Sequence, residues 1–323
     1  MHPADMVPVA FTVRNGIEES YHYGAVVCLE RDGSVAISAG SPNSIILPRS
    51  SMKPMQATVM VTAGLRLPPR LLALVCASHD GRPEHLQAAR EILASAGLNE
   101  SALCNTKDFP LDAAAARDVV RAGGVPTSLQ MNCSGKHSGM LATCVTCAWS
   151  HDESYLNPDH PLQRCITEML PEFTGEAAAH IVTDGCGAPA HAISLVGLAR
   201  GFRTIAMAHD GTPARIVADA MRTHPEMVGG PTRDVTLLIS GVAGLIAKDG
   251  AEGVYAAALP DGRAIALKIA DGANRARPPL MRAALVALGV DISQVDIRAF
   301  VSPIFGHGRV VGEVRVLDNL LGL

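Results

Sequence analysis

Strand-like segments at both ends of the chain flank a helical middle, and this order constrains the fold more than any other feature. Residues 8–13, 25–30 and 34–39 are short runs of β-forming side chains, and Asp32-Gly33 between the last two is a hairpin turn signal. The design returns late: residues 254–259 and 264–270 flank the turn Pro260-Asp261-Gly262, and residues 309–317 predict a final strand. Between them, Leu162, Cys165, Ile166, Met169 and Leu170 mark one face of a helix beginning at Pro161. Residues 83–96, ending at Gly97, predict another helix, as do 191–200, ending at Gly201, and 279–288, ending at Gly289. The run 235–247 is apolar nearly all round and predicts a buried helix. Strands do not alternate with helices, which disfavours a doubly wound parallel sheet. The economical solution is an α+β (αβα) fold. Terminal strands pair into one antiparallel sheet, which satisfies more backbone groups than two isolated hairpins. We expect a single domain over 1–323, with a sheet lobe from about 1–50 and 250–323 and an inserted helical lobe at about 51–249.

Composition narrows the function classes. Hydrophobic residues at 48% can build a sizeable core, and aromatics at 3% leave that core to aliphatic packing. A net charge of -4 gives no basic footprint for nucleic acid. The longest apolar stretches are too short to span a bilayer. The start of the chain lacks a basic segment followed by an apolar one, so the expectation is a cytoplasmic protein without a secretion signal. The eight cysteines then read as free thiols or ligands rather than a disulfide framework.

Ser50 and Lys53, in Pro48-Arg49-Ser50-Ser51-Met52-Lys53-Pro54, form an S-x-x-K motif where the first strands give way to helices. Residues three apart on a helix share a face, so the amine can reach the hydroxyl. A serine is a weak nucleophile until a base takes its proton, and a lysine serves as that base only when neutral. A helix N-terminus favours an incoming oxyanion, and Pro54 suits a first turn. The plainer alternative is a helix start with Ser50 as N-cap and Lys53 solvated. Ser78, in Cys76-Ala77-Ser78-His79-Asp80-Gly81, is a second nucleophile, a proton relay or a turn residue. Lys268 is a lone cation in an apolar strand: it either snorkels from an edge or faces inward, as a late-strand lysine does in S-x-x-K hydrolases.

A second cluster joins Asn132-Cys133-Ser134-Gly135-Lys136-His137 to the glycine-rich Thr183-Asp184-Gly185-Cys186-Gly187. Two thiols with amine and imidazole neighbours suit a soft divalent ion such as zinc, and from residue chemistry alone His137 is the preferred nitrogen ligand over Lys136. The alternative is two unrelated turns with inward thiols. Gly135-Lys136 is not a phosphate loop, since Gln130 occupies the required upstream glycine position. Cys144 and Cys147 form a lone C-x-x-C that reads as core.

Six stretches together resemble the Rhizobium etli-type (class 3) L-asparaginases, also called the asparaginase II family. They are Arg14 to Ser20 with His22 and Gly24; Pro48 to Pro54; Cys76 to His79; Asn132 to His137; Thr183 to Gly187; and His224-Pro225-Glu226-Met227-Val228-Gly229-Gly230. The resemblance implies a serine β-lactamase/glutaminase-like fold and hydrolysis of the side-chain amide of L-asparagine. It implies two Ser-Lys pairs, which fall on Ser50 with Lys53 and Ser78 with Lys268. It implies a zinc site at Cys133, Lys136 and Cys186, with the lysine replacing His137 as ligand, and a homodimer. The expected roles are attack by Ser50 with Lys53 as base, and proton movement through Ser78 and Lys268. Arg49, Asn132, His137 and Asp184 are expected near the substrate, with Asp184 pairing its α-amino group. The rivals are another S-x-x-K hydrolase, against which the missing S-D-N and K-T-G motifs weigh, and a non-catalytic zinc or small-molecule binder.

Overall fold

The computed structural model describes residues 2–322. Its main sheet is antiparallel and eight-stranded, in the order β10-β11-β1-β2-β9-β8-β7, with β3 also pairing β2. The strands are β1 (Val7–Arg14), β2 (Ile17–Leu29), β3 (Val35–Ala39), β7 (Ile246–Gly250), β8 (Val254–Ala258), β9 (Ala264–Ile269), β10 (Pro303–Gly306) and β11 (Arg309–Val316). The expected union of the chain's two ends is present twice, in the pairing of β1 with β11 and of β2 with β9. The long β2 makes this possible: its first half pairs β1, and its second half lies between β9 and β3. A separate small sheet runs β4 (Ile45–Ile46), β6 (Pro189–Ser194), β5 (His180–Thr183).

The helical middle comprises α1 (Lys53–Thr62), α2 (Pro69–Val75), α3 (Pro83–Ser95), α4 (Ala113–Arg121), α5 (Ser134–Thr146), α6 (Pro161–Thr174), α7 (Leu195–Ala206), α8 (Pro213–Thr223), α9 (Pro225–Val228) and α10 (Asp234–Gly241). A last helix, α11 (Arg277–Ala287), returns to the sheet. Helix α7 packs on β2, β8 and β9, and α11 on β8, β9 and β11. Helix α1 is buried from Lys53 to Val61 and touches α5, α6, α7 and α8, so it is the axis of the helical lobe. A helix buried all round brings its first residue into the interior, and that residue is Lys53. No helix among the described residues is long and apolar enough to cross a membrane.

Two sequence expectations differ from the structure. The run 235–247 is not one helix: α10 stops at Gly241, and β7 begins at Ile246. Residues 191–200 are not one helix either. His191 lies on β6, and α7 starts at Leu195 with the Ser194 hydroxyl accepting from Gly197 N. That helix passes through Gly201, where an added Cβ would lie 2.2 Å from Met55 Cε, so the glycine serves close packing and not termination.

Candidate active site

The cleft is assembled from chain segments far apart in sequence. Ser50 sits on a short 3-10 turn, Arg49–Met52, that leads directly into α1. Arg49 enters this turn with φ 53, a left-handed conformation unfavourable for a side chain larger than glycine or asparagine. Strain of this kind persists when neighbours hold it, and here Arg49 Nε donates to Asp184 Oδ1 at 2.5 Å. Ser50 therefore projects from a strained turn anchored on the second glycine-rich loop. That loop closes on itself through Gly187 N to Asp184 O and Asp184 N to Ala188 O, both 2.9 Å, and places Cys186 inside.

Ser78 follows α2 on a loop docked against residues 228–230. Ser78 N donates to Val228 O and Asp80 N to Gly229 O. A Cβ on Gly230 would lie 1.9 Å from Asp80 Oδ2, so a larger residue there would displace the Asp80 carboxylate. On the other side, His79 N donates to Asn132 O at 3.1 Å. His79 Nδ1 accepts from Gly81 N, so its Nε2–H donates to Ser134 Oγ at 2.8 Å. Burial, with the charges of His85 and Lys53 nearby, holds His79 well below the usual imidazole range and so neutral. The histidine thus clamps the Ser78 loop to the N-terminus of α5.

Lys53 is the hub of this assembly. Only 1% of it is exposed, and its Nζ reaches Ala77 O at 2.5 Å, Ser78 Oγ at 3.1 Å and Cys133 Sγ at 3.0 Å. The hydroxyl bonded to Lys53 is therefore Ser78 and not Ser50, although Ser50 and Ser78 line the same cleft of about 380 Å³. Arg49, Asn132, Cys133, Asp184 and Cys186 line it too. Lys268 is not brought to Ser78. Its ammonium donates to Glu252 O and Ile269 O and lines a separate, mostly apolar hollow. His137 is wholly buried, is not part of the cleft wall, and bonds Tyr155 Oη through Nδ1 at 2.8 Å.

The thiol cluster is compact. Lys136 Nζ lies 3.1 Å from Cys186 Sγ, and Cys133 Sγ lies 3.1 Å from Asn132 Oδ1. The neighbouring Cys133 thiol, helped by Lys136 against the opposing effect of burial, pulls Cys186 down to about 5, and the facing Cys186 together with burial pushes Cys133 up to about 12. Burial lowers Lys136, but the facing Cys186, Cys133 and Asp184 outweigh it and leave the amine raised. Burial likewise opposes ionisation of Asp184, and Lys136 and Arg49 together overcome it and hold the carboxyl low. Two sulfurs and an amine match the donor preference of zinc. Among the described residues no three His, Cys, Asp or Glu side chains converge as a metal cluster, so a site here depends on the lysine.

Several cleft residues escaped the sequence reading. Arg233, Asp249 and Arg277 form one wall, with Arg233 Nη2 to Asp249 Oδ2 at 2.6 Å and Arg277 Nη1 to the same oxygen at 3.7 Å. Behind them Lys248 is fully buried and bonded to Asp249. Burial, against the pull of Asp249 and with the charge of Lys53 added, holds Lys248 down at about 8. The only signal for this group was a charged pair, Lys248-Asp249, at the end of an apolar run.

Solved structures similar to this one share little sequence with it. A beta-lactamase from Mycobacterium bovis is 16% identical with a TM-score of 0.42, over 82% of this chain and 94% of that one. A probable glutaminase from Bacillus subtilis, complexed with 6-diazo-5-oxo-L-norleucine, is 14% identical with a TM-score of 0.39, over 83% and 85%. EstCE1, a hydrolase with promiscuous acyltransferase activity, is 10% identical with a TM-score of 0.39, over 86% and 92%. No curated protein sequence matches the chain. The family model described as L-asparaginase II, in contrast, matches residues 10–316, a span that takes in both serines, the thiol cluster and the strands of both termini. On that match the chain belongs to the L-asparaginase II family, a family of amidohydrolases.

Proposed function

We propose that the protein hydrolyses the side-chain amide of L-asparagine to L-aspartate and ammonia through a serine activated by Lys53. The observation that carries this reading is the buried Lys53 Nζ, 3.1 Å from Ser78 Oγ, directly behind a cleft whose wall includes both Ser78 and Ser50. A catalytic base acts on a proton within direct reach or across one water. Ser50 precedes Lys53 by three residues and attacks the amide carbon. Its proton passes to Lys53 across one water, since both residues line one small hollow, and on through Ser78 to the departing nitrogen, which leaves as ammonia. Water then cleaves the Ser50 ester, releasing aspartate and restoring the hydroxyl. Lys268, bonded to two carbonyls outside the cleft wall, has no part in this scheme.

Asparagine carries a carboxylate and an ammonium besides its amide. Asp184, held ionised, suits the ammonium. Arg233 and Arg277, which line the same cleft, suit the carboxylate. A zinc ion held by Cys133, Lys136 and Cys186 would orient the substrate or a ligand water at the cleft. The family resemblance brings a cytoplasmic homodimer into the same proposal. Ammonia release from L-asparagine, run beside hydrolysis of a chromogenic β-lactam, tests the reading. Turnover of L-asparagine that Lys53→Met abolishes is expected; β-lactam hydrolysis without ammonia release would assign the cleft to another S-x-x-K chemistry.

A further inference from the structure

A second, much smaller hollow of about 10 Å³ adjoins the cleft and shares Arg49, Ser50 and Asp184 with it. Lys53, Gln56, Lys136 and His191 complete its polar lining. Its volume admits one water, and a buried water needs two to four polar partners. Two such partners stand without one. Lys53 directs its bonds to Ala77, Ser78 and Cys133, and the Ser50 hydroxyl has no hydrogen-bond partner among the described residues. His191, 1% exposed, has a buried Nδ1 with no hydrogen-bond partner among the described residues.

The protonation of His191 follows from its other nitrogen. Thr167 Oγ1 donates its single hydrogen to Gln163 O at 2.9 Å, so toward His191 Nε2, at 2.8 Å, it accepts. Nε2 therefore carries the ring hydrogen and Nδ1 presents a lone pair. Burial, with Lys136 nearby, holds the ring at about 4, so it is neutral at pH 7. An unpaired buried acceptor is costly, and proteins meet that cost with ordered water where the site has room.

We propose that the hollow holds one bound water that donates to His191 Nδ1 and accepts the hydroxyl hydrogen of Ser50, which makes His191 a positioning residue for that serine. With its hydrogen directed into the hollow, Ser50 presents its oxygen lone pairs to the cleft. The inference rests on the reading above that Ser50 attacks.

The test combines three variants with two readouts. His191→Leu removes the acceptor, His191→Asn replaces Nδ1 with an amide oxygen at nearly the same place, and Thr167→Val frees the ring to protonate Nδ1 from outside the cleft. We expect kcat on L-asparagine to fall roughly tenfold in His191→Leu and Thr167→Val with KM unchanged, and His191→Asn to stay within about threefold of the wild type. A high-resolution crystal structure of the wild type is expected to show the water within hydrogen-bond distance of Nδ1. An empty hollow, wild-type kcat in folded His191→Leu, or equal losses in His191→Leu and His191→Asn would overturn the inference. If the wild type itself releases no ammonia from L-asparagine, the functional reading has failed instead.

Discussion

Gly135 joins the Ser-Gly-Lys motif to the packing that aims Lys136. In an exposed helix, Gly→Ala stabilises by about 1 kcal/mol because alanine loses less backbone freedom. Gly135 faces α2, and a Cβ there would lie 2.4 Å from Leu74 O and 2.6 Å from Leu74 Cγ. The first contact is backbone in a buried helix and cannot rotate away, so α5 must shift relative to α2 by a substantial fraction of an ångström. Overpacking of this kind costs about 1–3 kcal/mol, which outweighs or at best matches the propensity gain. The shift falls on the first turn of α5, next to Cys133, Ser134 and Lys136, where an ångström of misplacement costs up to about 100-fold in rate. Gly139, one turn later, is the internal control. Its added Cβ would meet Val75 Cγ2 at 2.8 Å and Cγ1 at 2.9 Å, side-chain atoms that can repack. Urea denaturation and ammonia release on both variants give the comparison. We expect Gly135→Ala to be less stable and at least about tenfold slower, and Gly139→Ala to stay closer to the wild type on both counts. A Gly135→Ala protein as stable and active as the wild type would refute the packing argument.

Asp249 is buried and faces Lys248, Arg233 and Arg277, which overcome the effect of burial and hold its carboxyl well below the usual range. Asp249→Asn strands these cations and is expected to cost about 3–5 kcal/mol by urea denaturation. Because the folded value is lowered, the contribution is complete above the unfolded value near 4 and fades as pH falls below it, so the gap to the wild type should be flat from pH 7 to 5 and narrow below about 4. A gap that widens on acidification would contradict the assignment. Metal analysis is expected to find about one zinc per chain in the wild type and none after Cys133→Ala with Cys186→Ala; equal zinc in both would remove the thiol site.

The sheet was legible because alternation and turn chemistry are local signals, and chain ends with no other partner pair with each other. The 235–247 run misled for a physical reason: a segment buried on every side has no polar face, so its period does not separate helix from strand. Gly241 and Gly244 were the available break signals, and the consequence of passing over them was to miss Lys248 at the end of the run. The members of the thiol cluster were visible as residue types in glycine-rich loops. Which serine bonds Lys53 was not, because that depends on how the Ser78 loop seats between residues 228–230 and Asn132. His191 was hidden by its assignment to a helix, although Ser194 before an apolar run marked the true helix start. Lys268 was paired with Ser78 from the family resemblance and chain order, and strand alternation did not fix which neighbours its amine would meet.

The central claim is that a Lys53-activated Ser50 carries the acyl group. Protein digested and weighed after a brief pulse of L-asparagine and an acid quench tests it directly. An aspartyl group on the peptide at Ser50, lost in Ser50→Ala and greatly reduced in Lys53→Met, is the predicted result. An aspartyl group on Ser78, or undiminished turnover by Ser50→Ala, would contradict it.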